Sequence, residues 1–269
     1  MSEKAFDGAT VVVTGAARGI GAAIAVAFAD AGANVCLNDV VDGDDFDETV
    51  ERCRSRGAAA RKVIADVSDA GAVDRLVATA VEAFGRLDVA VPNAAFSVRE
   101  PFHTADLDAF RRTVDVTMWG TFHVVRSAVN QFLRQGGGGA VVAVSSTHAY
   151  RPVPNAMAYN MSKAAIEQVC RTAATELVAE RIRVNCVRPG WVDTPGERTH
   201  HSDEKIAELS PLLPWGRMAR AEEVARAVMF MADPRNDYIN GTELLVDGGA
   251  KLPVDGGLGA VKKSPPDSV

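Results

Sequence analysis

Cysteine is scarce in this chain, with four in 269 residues. Cys36, Cys53, Cys170 and Cys186 show no Cys-x-x-Cys spacing, which argues against both a disulfide framework and a cysteine zinc site. Long apolar runs are missing too: none approaches the roughly 18 residues that a membrane span requires. Met1 to Asp7 lacks the apolar core of a secretory leader, so the expected location is cytoplasmic, with no membrane partner. Nor is there a basic excess. Lys and Arg number 29 against 35 Asp and Glu, and a net charge of -6 opposes nonspecific nucleic-acid binding, which needs a cationic face.

The remainder is that of an ordinary globular chain, 47% hydrophobic and 24% charged. Its length suits one α/β sheet domain with a substantial core. Apolar, β-branched runs alternate with helical stretches, which implies a doubly wound parallel sheet covered by helices on both faces. In such sheets ligands bind at the carboxyl ends of the strands. The boundaries expected are a single domain over 1–253, with a polar, aperiodic lid at 191–215, and a loose Gly-, Lys- and Pro-containing tail at 254–269.

The first strand, Thr10 to Val13, runs into Thr14-Gly15-Ala16-Ala17-Arg18-Gly19-Ile20-Gly21 and then an apolar helix. Strand, glycine turn and helix together present free N–H groups and a positive dipole end to a pyrophosphate. The second strand ends at Asp39, at the distance where a carboxylate binds the adenosine ribose hydroxyls and repels a 2'-phosphate. NAD is therefore favoured over NADP, with Arg18 as the residue that keeps NADP open. Asp66 is read either as a turn cap or as an adenine contact, and Ser68 as the N-cap of the helix reaching Phe84. Pro92-Asn93-Ala94-Ala95 closes the fourth strand near the second ribose. One long helical region is expected over 106–134, interrupted at Gly120.

Ser146 follows the apolar run Ala140 to Val144, and Tyr159 opens a helix with Lys163 one turn later on the same face. A phenol titrates near ~10, and a fixed cation beside it favours the phenolate. Tyr159 is thus the candidate general acid/base, Lys163 its tuner, and Ser146 the hydroxyl that holds a substrate oxygen.

In this order and spacing, Thr14-Gly-x-x-x-Gly19-x-Gly21, Ser146, Tyr159-x-x-x-Lys163 and Pro189-Gly190 resemble the short-chain dehydrogenase/reductase family over nearly the whole of Phe6 to Leu252. The resemblance implies a single-domain Rossmann fold of about seven strands, a nicotinamide cofactor, and interconversion of a secondary alcohol with its ketone. It implies that Gly15, Arg18, Gly19, Ile20 and Gly21 line the pyrophosphate and that Asp66 and Val67 flank adenine. Asn93 and Ala94 lie near the cofactor, Lys163 holds the nicotinamide ribose, and Pro189, Gly190, Val192 and Thr194 border the nicotinamide. Two departures stand out. Pro92-Asn93-Ala94-Ala95 replaces the usual Asn-Asn-Ala-Gly, and Thr117 stands where the family places the Asn of its catalytic tetrad, leaving its hydroxyl to support a water leading to Lys163.

The stretch from Pro189 to Arg198 is similar to that of glucose and other sugar or polyol dehydrogenases. His148, Asn155 and Trp191 are the candidate substrate residues, and His200, His201, Glu204, Trp215 and Arg99 offer further contacts to a polyhydroxylated substrate. His200-His201 is a poor metal pair, because adjacent side chains diverge and no third ligand accompanies them. The alternatives are an NADPH-dependent reductase of 3-oxoacyl thioesters or other ketones, and a noncatalytic nucleotide sensor. Family relatives assemble through the helix bearing Tyr159 and the one before it, so a homotetramer is expected.

Overall fold

The computed structural model describes residues 5–252; the tail expected over 254–269 lies outside them. In chain order the elements are β1 (Thr10–Thr14), α1 (Gly19–Asp30), β2 (Asn34–Asp39), α2 (Asp44–Arg54), β3 (Ala60–Ile64), α3 (Ala70–Phe84), β4 (Val89–Val91), α4 (Leu107–Val114), α5 (Gly120–Gln135), β5 (Gly139–Val144), α6 (Met157–Glu176), β6 (Ile182–Pro189), β7 (Val192–Asp193), α7 (Asp203–Leu209), β8 (Ala219–Arg220), α8 (Ala221–Ala232) and β9 (Glu243–Val246). Seven strands form one parallel sheet in the order β3-β2-β1-β4-β5-β6-β9, as the alternating pattern implied.

Successive strand residues point to opposite faces, and both faces are buried. Val11 and Val13 join the core shared with α1, α2 and α8, whereas Val12 between them joins the core under α3, α5 and α6. The same split separates Val142 and Val144 from Val141 and Ala143. Consequently β1 and β5 are apolar throughout rather than alternating, and their only open ground is at their ends. Strand order reverses between β1 and β4, and the carboxyl ends of both open into one cleft.

Two local expectations are corrected. The N-cap of α3 is Asp69, whose carboxylate accepts from the Gly71 and Ala72 N–H groups, while Ser68 donates its hydroxyl to Asp66. The interruption of the helical region over 106–134 lies just before Gly120 rather than at it: a π-helical turn at Asp115–Trp119 separates α4 from α5. Gly120 just after it is sterically required, since a Cβ there would sit 2.5 Å from Val67 Cγ2. The lid is not structureless either. It holds α7, and β7 pairs with β8 through Val192↔Ala219 and Asp193↔Arg220.

Candidate active site

At one end of the cleft the glycine turn forms a backbone cradle. Gly15 and Gly19 have positive φ of 62° and 59°, and a Cβ on Gly21 would lie 2.0 Å from the Gly15 carbonyl oxygen, so only glycine permits this path. Neighbouring strands hold it in place. Thr14 Oγ1 accepts from the Asn93 and Ala94 N–H groups, and the Asn93 side-chain amide donates to the Thr14 and Gly15 carbonyls. Asp39 accepts from Ala17 N–H at 3.0 Å and Val40 N–H at 2.8 Å, one bond per carboxylate oxygen, which leaves a lone pair on each for a ligand.

Asp66 lines the cleft beside Val67, but its carboxylate is already engaged by Ser68 and by Arg112 Nη2 at 2.8 Å. Burial pushes its carboxyl up, and the Ser68 and Arg112 hydrogen bonds outweigh it, leaving the group below its usual range. The turn-cap reading of Asp66 is met by its bond from Ser68 N–H, and the same residue lines the cleft.

At the other end β5 delivers Ser146, and the first turns of α6 deliver Tyr159 and Lys163. Lys163 is almost fully buried, with its ammonium donating to the Val144 carbonyl at 2.7 Å and lying 5.4 Å from the Tyr159 ring centroid. Burial lowers its pKa to about 8, with Cys186 and Glu167 opposing. Glu167, one turn further along α6, is itself buried and takes a bidentate pair from Arg188 at 2.7 and 2.5 Å plus the Ser145 hydroxyl at 3.0 Å. This buried carboxylate was overlooked in the sequence, although the i,i+4 spacing Lys163, Glu167, Arg171 signalled it.

Tyr159 does not behave as the spacing suggested. Burial pushes its phenol up to about 12; Arg99 and a Ser146 hydrogen bond pull it down, and Glu197 pushes it further up. Arg99 Cζ and Lys163 Nζ both lie over the ring, 5.8 and 5.4 Å from its centroid, with the Lys163 ammonium also donating to the Val144 carbonyl.

His148 stands edge-on to Tyr159, with centroids 5.2 Å apart. The Asn160 amide donates to the Val153 carbonyl, so its oxygen faces His148 Nδ1 at 2.8 Å and the ring must donate from Nδ1. Burial lowers the His148 pKa to about 4, which leaves a neutral ring with Nε2 as an acceptor.

Of the sequence candidates, Gly15, Arg18, Gly19, Ile20, Gly21, Asp39, Asp66, Val67, Asn93, Ala94, Ser146, His148, Tyr159, Lys163, Pro189, Gly190, Trp191, Val192 and Thr194 all line this single cleft of about 1410 Å³. Thr117 and Asn155 do not. Thr117 is fully buried, with its hydroxyl donating to the Phe96 carbonyl at 2.9 Å and accepting from Phe96 N–H at 3.0 Å. Its hydroxyl hydrogen is therefore spent on the backbone, and the water-supporting role expected of it is corrected to a structural one. Asn155 sits at φ 63°, accepts from Glu100 N–H through its carbonyl, and lines a small separate hollow, so it is removed from the substrate candidates.

A family model described as "Enoyl-(Acyl carrier protein) reductase" matches residues 15–251. The chain is 37% identical over 248 residues to 3beta-hydroxysteroid dehydrogenase 1 of Eggerthella lenta, covering 92% of this chain and 95% of that protein. It is 34% identical over 250 residues to glucose 1-dehydrogenase 2 of Bacillus subtilis, covering 93% and 97%. A solved structure of a putative short-chain alcohol dehydrogenase from Sinorhizobium meliloti superposes with a TM-score of 0.87 at 30% identity, covering 92% of this chain and 98% of that one. With Ser146, Tyr159 and Lys163 at one end of a cleft whose other end is a glycine turn, the chain belongs to the short-chain dehydrogenase/reductase family, as an NAD(P)-dependent oxidoreductase acting on CH–OH groups.

Proposed function

We propose that the protein oxidises a secondary alcohol with NAD, with Tyr159 as the base, Ser146 orienting the substrate oxygen and Lys163 holding the nicotinamide ribose. The observation that carries this reading is the convergence of those three side chains on a cleft that also receives the glycine turn and Asp39. The cradle fits a dinucleotide: Gly21 could not bear a Cβ, and Asp39 retains two free lone pairs. Bound there, the nicotinamide supplies hydride acceptance.

Ser146 Oγ, which accepts from His148 N–H at 3.2 Å, donates its own hydrogen towards the tyrosyl or substrate oxygen. Tyr159 Oη takes the alcohol proton in oxidation and returns it in reduction. His148 Nε2 is available to a second substrate donor, and Trp191 and the lid cover the reacting carbon from water. NAD is preferred because Asp39 places its charge where a 2'-phosphate would go, and the next two residues are the exposed Val40 and Val41 rather than cations. That preference also speaks for alcohol oxidation over NADPH-dependent reduction of 3-oxoacyl thioesters.

The subunits form a homotetramer in this reading, through the exposed Trp119 and Phe122 at the start of α5 and Met161 on α6. We also infer a cytoplasmic location; among the described residues no helix is long and apolar enough to cross a membrane. The test is NADH and NADPH formation against secondary alcohols, sugars and polyols. Turnover with NAD that collapses in Tyr159→Phe supports the reading, whereas unchanged turnover in that variant refutes it.

A further inference from the structure

The extended segment after β4 contributes two residues to the substrate half of the cleft, Ser97 and Arg99. Both carry a buried side-chain polar atom without a hydrogen-bond partner among the described residues: Ser97 Oγ and Arg99 Nε. Two other arginines of the cleft are committed. Arg112 pairs with Asp66 at 2.8 Å and Arg217 with Glu223 at 2.8 Å. The Glu197 carboxylate lies 3.5 Å from His201 Nε2. Leaving a buried donor such as Arg99 Nε unpaired is costly, and folded proteins retain such a group where something else completes it.

Glu197 also lines that half of the cleft, yet among the described residues no hydrogen bond or ion pair joins it to Arg99. His148 is neutral, and Lys163 adds a second cation beside Tyr159. Val153, Pro154, Trp191, Leu213 and Trp215 give that half an apolar wall suited to carbon, beside the polar Tyr150, His200 and His201. A sugar would leave Arg99 uncompensated. A planar carboxylate matches the guanidinium fork, and its second oxygen can accept from the Ser97 hydroxyl.

We infer that Ser97 and Arg99 form an anion subsite, and that the alcohol oxidised is a hydroxy carboxylic acid whose carboxylate docks there while its hydroxyl faces Tyr159 and Ser146. This rests on the oxidoreductase reading of the cleft and adds the substrate class to it. Arg99 lies 5.8 Å from the Tyr159 ring centroid, so a short apolar framework joins the two groups.

The test is calorimetric titration of the NADH-saturated protein with cyclohexanecarboxylate and cyclohexanecarboxamide, in the wild type, Arg99→Met, Arg99→Lys and Ser97→Ala. In parallel, NADH formation is measured with 3-hydroxycyclohexanecarboxylate and its methyl ester. The carboxylate is expected to bind at least about tenfold more tightly than the amide, the margin of a charge-assisted hydrogen-bonded pair. Arg99→Met abolishes that preference, Arg99→Lys keeps part of it, and Ser97→Ala weakens it a few-fold; unchanged NADH affinity certifies that each variant is folded. Equal binding of the two probes, or a preference that survives Arg99→Met, overturns the inference. Turnover of neutral alcohols without any preference for the carboxylate would discard the subsite and leave the dehydrogenase standing. Carboxylate binding by a protein that oxidises no alcohol would do the reverse.

Discussion

Tyr159 and Lys163 share a helix face, yet burial drives their proton affinities in opposite directions. A phenol is neutral when protonated and an ammonium is charged, so the same desolvation raises one pKa to about 12 and lowers the other to about 8. Ultraviolet titration of the cofactor-free protein, taken as wild type minus Tyr159→Phe, is therefore expected to show a phenolate appearing above the ordinary range. An apparent pKa below 10 would contradict the burial argument. Tyr159→Phe should also cut kcat by about 10² to 10⁴-fold while NADH still binds, as the loss of one acid/base group does. Lys163 makes a distinct prediction about stability. Between pH 8 and its ordinary value of 10.5 the unfolded chain holds a proton that the folded one has released. Unfolding then takes up protons and stability rises with pH. The wild-type Tm should gain on that of Lys163→Met from pH 8 to 10.5, with a flat difference below pH 8; a gain in the opposite direction would show that Lys163 is not desolvated.

Between α4 and α5 the π turn carries Thr117 inward, where it clamps both backbone groups of Phe96. Through that clamp the helix fixes the start of the segment that reaches Ser97 and Arg99. Thr117→Val keeps the shape but deprives the Phe96 N–H and carbonyl of the Thr117 hydroxyl, two hydrogen bonds whose loss should cost about 1–3 kcal/mol in urea unfolding. Thr121 donates to the Thr117 carbonyl, so the turn is held from both sides. Much of this is invisible in sequence. The glycine turn, Asp39, Ser146 and the Tyr159-Lys163 pair are legible because each is a local pattern, a fixed spacing or a strand terminus. Thr117 meets Phe96 across 21 residues with no period between them, and its chemistry is decided by that partner. Similarly, Ser68 and Asp69 are both good N-caps, and only the path of the chain into α3 selects Asp69. Asn155 looked like a pocket residue by its place between His148 and Tyr159, but its left-handed backbone turns it towards Glu100.

For the whole molecule, the alternation of strands and helices was sufficient to anticipate a parallel seven-stranded sheet, because each crossover needs a covering helix on one face. What the pattern did not convey is which apolar helix residues face the sheet. Ile166, Cys170 and Ala174 pack into the core of their own chain and are unavailable to a partner. Trp119, Phe122 and Met161 remain outward and are the contacts on which the proposed tetramer would rest. A light-scattering mass of four subunits is expected, falling in Trp119→Glu, where an added charge meets a desolvated surface; a single-subunit mass in the wild type would exclude the assembly.

The ladder between Val192 and Asp193 on one side and Ala219 and Arg220 on the other closes the lid at its base. Because both ends are pinned to each other, everything from 194 to 218 is attached like a cassette: its composition can change without altering the strand ends that line the cleft. Closing the base also shortens the span over which the segment must be ordered, so a replacement pays little extra loop entropy even when its length differs. Transplanting 194–218 between relatives would then exchange the roof of the substrate chamber while leaving its chemical floor, and the anion-facing wall at Ser97 and Arg99, in place.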